Sequence, residues 1–385
     1  MRRPFIVRFF SATPKAGWQA LAIFTTFALL VVPLLHLAVP ETSVFHVSSY
    51  AITLIGKIMC FAIVGVAMDL IWGYAGILSL GHGLFFALGG YAFGMYLMRQ
   101  IGRDGSYQSD LPDFMVFLDW KQLPWYWTGS DSIWWAAVLV LTVPALVALV
   151  FGFFAFRSRI KGVYFSIITQ AMTFAAMLYF FRNETGFGGN NGFTDFKRIA
   201  GYSITSPEMR VTLFALSAAM LMATLVLCRY VVSSKFGRVL MAIRDAESRV
   251  MFLGYNPLHY KLAAWTLSAF LCGIAGALYV PQVGIINPGE MSPANSIEIA
   301  IWVAVGGRAT LVGPVIGAFI VNLSKSFFTQ AFPEYWLFFL GALFVGVTLW
   351  LPQGVVGLWS QWREKRANAL AIAPADAAVE PGAAK

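Results

Sequence analysis

Charge is what this sequence is short of. Asp, Glu, Lys and Arg make up 12% of its 385 residues, whereas 59% are hydrophobic; soluble domains run at roughly 25% charged and 45–50% apolar. A water-soluble fold has no means of hiding that much apolar surface, so a soluble enzyme or binding module is excluded. Cysteine is scarce too. Cys60, Cys228 and Cys272 sit in separate apolar runs with no spacing that suggests a disulfide framework or a metal site. The histidines (His36, His46, His82 and His259) are too dispersed for a ligand cluster, and no metal or other cofactor is expected. No Gly-x-x-x-x-Gly-Lys-[Ser/Thr] loop is present to hold a nucleotide. Nothing in the chain assembles as catalytic machinery, so it reads as something other than an enzyme.

What is present is a series of apolar runs from Trp18 to Trp350, most about the length of roughly 20 residues that spans a 30 Å hydrocarbon core. They predict an all-α, polytopic membrane protein of about ten transmembrane helices, at 18–39, 48–72, 76–98, 132–156, 162–181, 210–231, 261–283, 294–306, 311–330 and 334–351. The eighth is short for a full crossing and reads equally as a broken or re-entrant helix. Such backbone is tolerated at membrane depth only inside protein or along a water-filled cavity. The formal charge of +9 does not indicate nucleic acid, because the basic residues are scattered between spans rather than gathered on one face. With the N-terminus in the cytoplasm, 18 of the 27 Lys and Arg fall on inner segments and 7 on outer ones, leaving Lys57 and Lys325 within spans. That bias places both termini in the cytoplasm. The expected organisation is an N-terminal tail over 1–17, a membrane domain over 18–351 and a tail over 352–385. Ala367 to Lys385 is too poor in large apolar residues to fold.

Four stretches carry chemistry. In Gly73-Tyr-Ala-Gly-Ile-Leu-Ser-Leu-Gly-His-Gly-Leu-Phe-Phe-Ala-Leu-Gly-Gly-Tyr91 the glycines permit close helix packing, and Gly90 with Gly94 has small-xxx-small spacing. Ser79 and His82, three apart, are expected on one helical face. There His82 either lines a path or bonds a neighbouring helix. Phe187-Gly-Gly-Asn-Asn-Gly-Phe-Thr-Asp-Phe196 reads as a tight turn or as an entry at which Asn190 and Asn191 bond a polar solute. The inner segment of about 232–260 predicts an amphipathic helix ended by Gly254 and Pro257, either interfacial or a contact for a partner protein. In the fourth, Tyr279-Val-Pro-Gln-Val-Gly-Ile-Ile-Asn-Pro-Gly-Glu290, Pro281 and Pro288 are expected to end a helix. Glu298, just beyond, is either an intramembrane functional carboxylate or an interfacial one. In the long outer loop, Trp125-Tyr-Trp127 reads as an aromatic anchor at the headgroup level or a docking surface.

Taken together, these stretches resemble the permease subunits of ATP-binding-cassette importers of the branched-chain amino acid type. Ser79-Leu-Gly-His82, Gly162-Val-Tyr-Phe165, the Gly-Gly-Asn-Asn-Gly loop, Gly237-Arg-Val-Leu with Ala242-Ile-Arg244, and Gly273-Ile-Ala-Gly276 carry the likeness. Within that family the sequence is most similar to the urea-type permease, through Thr169-Gln-Ala, the doubled asparagine before Phe-Thr-Asp-Phe-Lys197, Arg244-Asp-Ala-Glu-Ser-Arg249 and Ile301-Trp-Val-Ala-Val-Gly-Gly-Arg308. Two departures stand out. Ala309 occupies the place of the family's third glycine in Gly-Gly-x-Gly-Thr-Leu, and Glu247 to Gly254 matches the Glu-Ala-Ala motif only loosely.

The resemblance implies a type II-like importer permease in the bacterial inner membrane. Its partners would be a second permease, two cytoplasmic ATPase subunits and an external solute-binding protein. Urea is the implied solute, with a branched-chain amino acid as the alternative and a passive channel or ion-coupled carrier more remote. Urea needs fixed neutral donors and acceptors, which Thr169, Gln170, Asn190, Asn191 and Asn287 supply, with Ser79, His82 and Glu298 as further path residues. Gly237, Arg238, Arg244, Asp245, Glu247, Arg249 and Gly254 are the residues expected to couple to the ATPase.

Overall fold

The computed structural model describes residues 15–40, 42–350, 354–358 and 362. The two expected tails, 1–17 and 352–385, lie almost wholly outside the described residues. The chain is built of helices: α1 (Lys15–Thr26), continued by a π turn into α2 (Val32–Leu37), α3 (Ser49–Ala75), α4 (His82–Arg99), α5 (Asp113–Phe117), α6 (Ile133–Arg157), α7 (Val163–Phe180), α8 (Pro207–Ser233), α9 (Lys235–Phe252), α10 (Pro257–Val283), α11 (Pro293–Gly306), α12 (Val312–Ala331) and α13 (Trp336–Trp350). Among the described residues, α3, α6, α7, α8, α10 and α12 are long and apolar enough to cross a membrane by length and composition.

The centre is α3 and α10, two-thirds buried along their apolar stretches, whereas α6 and α7 are only 22% and 28% buried. The buried pair is wrapped by protein; the exposed pair presents apolar side chains outward. Local signals explain the helix limits. Ser48 caps α3 by accepting from the Ala51 N–H at 3.2 Å, and the helix stops where Gly76 turns left-handed. Asn256 caps α10 and Pro257 occupies its first turn.

Glycine sets how closely α4 and α10 approach. A Cβ on Gly89 would strike the Gly273 carbonyl, and one on Gly276 the Phe86 carbonyl, so the backbones themselves are in contact. Gly306 against Gly313, and Gly317 against the Trp302 carbonyl, do the same for α11 and α12. Trp265, in the first third of α10, is fully buried and donates to the Ala148 carbonyl of α6 at 2.9 Å.

Two expectations change. Residues 76–81 are not helical, so Ser79 sits in an irregular stretch and His82 opens α4; the two do not share a helical face. Helix α3 runs three residues past its expected end at 72, to Ala75, and stops at the left-handed Gly76. Pro281 does not end α10, which runs on to Val283 and stops at the left-handed Gly284. The proline forfeits one i→i−4 bond, and the helix carries on two residues past it. The short eighth span is helical over 14 residues as α11, about 21 Å at 1.5 Å per residue.

At the end of the bundle opposite α9, the irregular segments fasten to one another. Strand β1 (Phe193–Thr194) pairs antiparallel with β4 (Ile285–Ile286), while β2 (Arg198–Ile199) and β3 (Tyr202–Ser203) form a hairpin. Two stretches almost a hundred residues apart are thereby joined. Gly192, at φ +65°, lies so close to Ile286 and Asn287 that a Cβ would not fit. The aromatic stretch serves as a clasp: the Trp127 indole donates to the Gly186 carbonyl at 3.0 Å and the Tyr126 hydroxyl to the Thr185 carbonyl at 2.9 Å. Only Trp125 is left strongly exposed.

Candidate translocation cavity

A cavity of about 560 Å³ opens between α3, α10, α11 and α12. Its mouth is marked by the exposed Tyr50, Thr329 and Gln330. It follows α3 from Tyr50 to Val64, about 21 Å at 1.5 Å per residue. The rings of Phe61, Phe86, Tyr279 and Trp302 form a contiguous aromatic wall at its deeper part, with Phe61 centred 4.9 Å from Trp302 and 5.3 Å from Tyr279.

The polar side chains of the lining come from separate elements. Glu298 on α11 is 6% exposed and paired with Lys325 of α12 at 2.9 Å. It is therefore a buried carboxylate of the cavity wall. Glu290, in the turn before α11, accepts from the Tyr279 hydroxyl at 3.0 Å and from the Asn295 amide at 3.5 Å. Gln282 donates to Ser217 at 2.9 Å and to the Leu278 carbonyl at 2.7 Å, and its buried Oε1 has no partner among the described residues. Gly56 makes room for that amide, since a Cβ there would collide with Oε1. Lys57 completes the set from α3.

Of the expected solute residues, Glu298 lines this cavity and the others stand elsewhere. His82 Nε2 is 2.9 Å from the Ser268 hydroxyl, which donates to the Ala67 carbonyl at 2.6 Å, so the imidazole ties α4 to α10 and α3. Thr169 is buried on α7, accepting from the Leu80 N–H at 3.1 Å and bonding carbonyls of its own helix. Ser79 accepts from the Gly81 N–H. Gln170 is half-buried on α7, and Asn190 and Asn191 are exposed on their loop, where the positive φ angles fall on Gly188, Gly189, Gly192 and Asp195 instead. Asn287 caps the turn that carries Glu290, accepting from the Gly289 N–H at 2.9 Å. The residues that sequence reasoning passed over are Gln282, Glu290, Asn295 and Lys325. Lysines within spans were a visible signal; their convergence with carboxylates from other helices was not.

A second constellation lies at the far end. Helix α9 buries Leu240, Ile243 and Val250 and exposes Arg238, Asp245 and Arg249, as an amphipathic reading requires. Its path is broken at Ala246 (φ −156°, ψ 74°). Before the break, Arg244 donates to the Gly73 carbonyl at 2.7 Å and bonds Asp245 at 2.9 Å. After it, Glu247 bridges Lys161 at 2.6 Å and Lys261 at 2.7 Å. Burial alone would push the Glu247 carboxyl up, but these two ammonium groups hold it below the ordinary carboxylate range. Gly237 is buried against the Val232 backbone, and Gly254 (φ +84°) turns the chain out of the helix. Met251, Phe252, Leu253 and Tyr255 are exposed beside it.

Comparison with known proteins gives this geometry a context. Residues 50–348 match the family model described as branched-chain amino acid transport system, permease component. The high-affinity branched-chain amino acid transport system permease protein LivM of Escherichia coli K12 is 27% identical over 350 residues, 85% of this chain and 74% of that protein. LivM of Salmonella typhimurium is 24% identical over 334 residues, covering 81% and 71%. A shorter likeness, 24% over 126 residues, joins 31% of the chain to 35% of the fructose import permease protein FrcC of Rhizobium meliloti. No solved structure matches. With the model covering helices α3 to α12 and the cavity between them, this chain belongs to the family of permease components of branched-chain amino acid transport systems.

Proposed function

We propose that this chain is the translocation subunit of an ATP-driven importer and that the cavity between α3, α10, α11 and α12 is its share of the solute path. The observation that carries the reading is the family match over residues 50–348, within which every residue lining the cavity falls. The solute that the LivM relatives support is a branched-chain amino acid. A second reading, urea, is favoured by the Thr169-Gln-Ala, Asn190-Asn191 and Ile301 to Arg308 stretches noted in the sequence. About ten crossings, with both termini in the cytoplasm, accord with the charge ledger.

Such a subunit needs an engine elsewhere. A second permease, two ATPase subunits and an external solute-binding protein are the partners this reading requires. Helix α9 is the part suited to feel the ATPase, because it is exposed, amphipathic and bonded to α3, α10 and the loop before α7. Differential binding of α9 to two ATPase states biases the permease between two access states. Two experiments test the reading. Cells lacking this chain are given labelled leucine and labelled urea: loss of leucine uptake supports the first solute, loss of urea uptake the second, and loss of neither rejects the importer. Purification in mild detergent should bring down stoichiometric nucleotide-binding subunits, and the Glu247→Lys, Gly254→Leu double variant should uncouple hydrolysis from uptake.

A further inference from the structure

Two charges in the cavity are left open to a guest. Lys57 is half-buried on α3, and among the described residues no ion pair includes it. Its ammonium lies 5.7 Å from the centre of the Phe61 ring. The other lysine of the lining, Lys325, is already paired with Glu298. Glu290 accepts only from neutral donors, the Tyr279 hydroxyl and the Asn295 amide, and lines the same cavity as Lys57, with no ion pair between the two among the described residues. Burying a charge is unfavourable unless a partner compensates. A cation and an anion that share one cavity of about 560 Å³, each without an ionic partner in bonding distance, leave a place for a solute that answers both.

We propose that Lys57 and Glu290 are the solute-orienting pair of this cavity, Lys57 donating to a solute oxygen and Glu290 accepting from a solute N–H. The inference rests on the importer reading above and names the chemistry that path selects. The recognised group is a carboxylate or carbonyl oxygen held beside an amine or amide nitrogen. An α-amino acid presents it as a zwitterion and makes two charge-assisted bonds. Urea presents it as a neutral amide, and both of its bonds are to a charged protein group. The aromatic wall then offers an apolar surface to the side chain of an amino acid and nothing comparable to urea.

The test compares uptake of labelled leucine and labelled urea in cells carrying wild-type or variant chain at matched membrane levels. Lys57→Met and Glu290→Gln should each raise KM for the transported solute by about tenfold or more, the factor that follows from about 1.4 kcal/mol of lost binding. Vmax should change less, and Lys57→Arg should restore most of the affinity. If Lys57→Met does not reach the membrane, Lys57→Gln replaces it. Transport of leucine by the wild type identifies the oxygen as a carboxylate, and transport of urea identifies it as a carbonyl. If the variants keep KM within about twofold, the pair is structural and the inference is overturned while the importer reading stands. If the wild type carries neither solute, the importer reading fails and takes the inference with it.

Discussion

Ala309 is the residue at which sequence and backbone disagree most plainly. It adopts φ +60°, a conformation that raises an L-residue with a Cβ by roughly 1–2 kcal/mol, where the family pattern has glycine. The loop holds because Asp69, fully buried on α3, accepts from the Ala309 N–H at 2.7 Å and the Leu311 N–H at 3.1 Å, while the Tyr74 hydroxyl donates to the Ala309 carbonyl at 2.7 Å. Leu311 is also at positive φ, so one carboxylate organises two strained residues. Ala309→Gly removes the Cβ penalty but adds unfolded-chain entropy of about 0.5–1 kcal/mol. The net expectation is a stabilisation of about 0.5 kcal/mol, read as a small rise in the melting temperature of the purified protein; a fall would show that the methyl group is packed to advantage. The departure at position 309 was visible in the sequence, but its strain became visible only with the backbone dihedral.

Helix α9 is legible as an element and opaque in its connections. Its apolar spacing and the stop at Gly254 follow from the residues in order. The break at Ala246 and the bridge from Glu247 to Lys161 and Lys261 join residues 86 and 14 positions away, which no periodicity predicts. The bridge has a pH signature. A carboxyl held below its ordinary range contributes stability that is fully present above its unfolded value of about 4.3. That contribution is lost as pH falls through the lowered folded value. The melting temperature of the wild type should therefore drop on acidification below about pH 4.3 more than that of Glu247→Gln, which has no proton to gain at this site. Parallel curves for the two proteins would dismiss the bridge as a contributor.

For the whole molecule, the orientation argued from Lys and Arg can be measured directly, because the three native cysteines are fully buried and leave little background. An impermeant maleimide applied to intact cells should label Asn190→Cys, on the loop at one end, and spare Phe252→Cys, which is 91% exposed on α9 at the other. The reverse labelling would invert the topology. The sequence by itself determined the class of the protein, a helical membrane permease, and made the sidedness a question for labelling, because apolar run length and charge count are local or additive. The tertiary structure alone decided which polar groups meet. Lys57, Glu290, Glu298 and Lys325 converge from α3, the turn before α11, α11 and α12, whereas Thr169 ties α7 to the irregular stretch before α4 and His82 ties α4 to α10. A side chain within a buried helix has the same neighbours in sequence whether it faces a cavity or another helix, and only packing distinguishes the two.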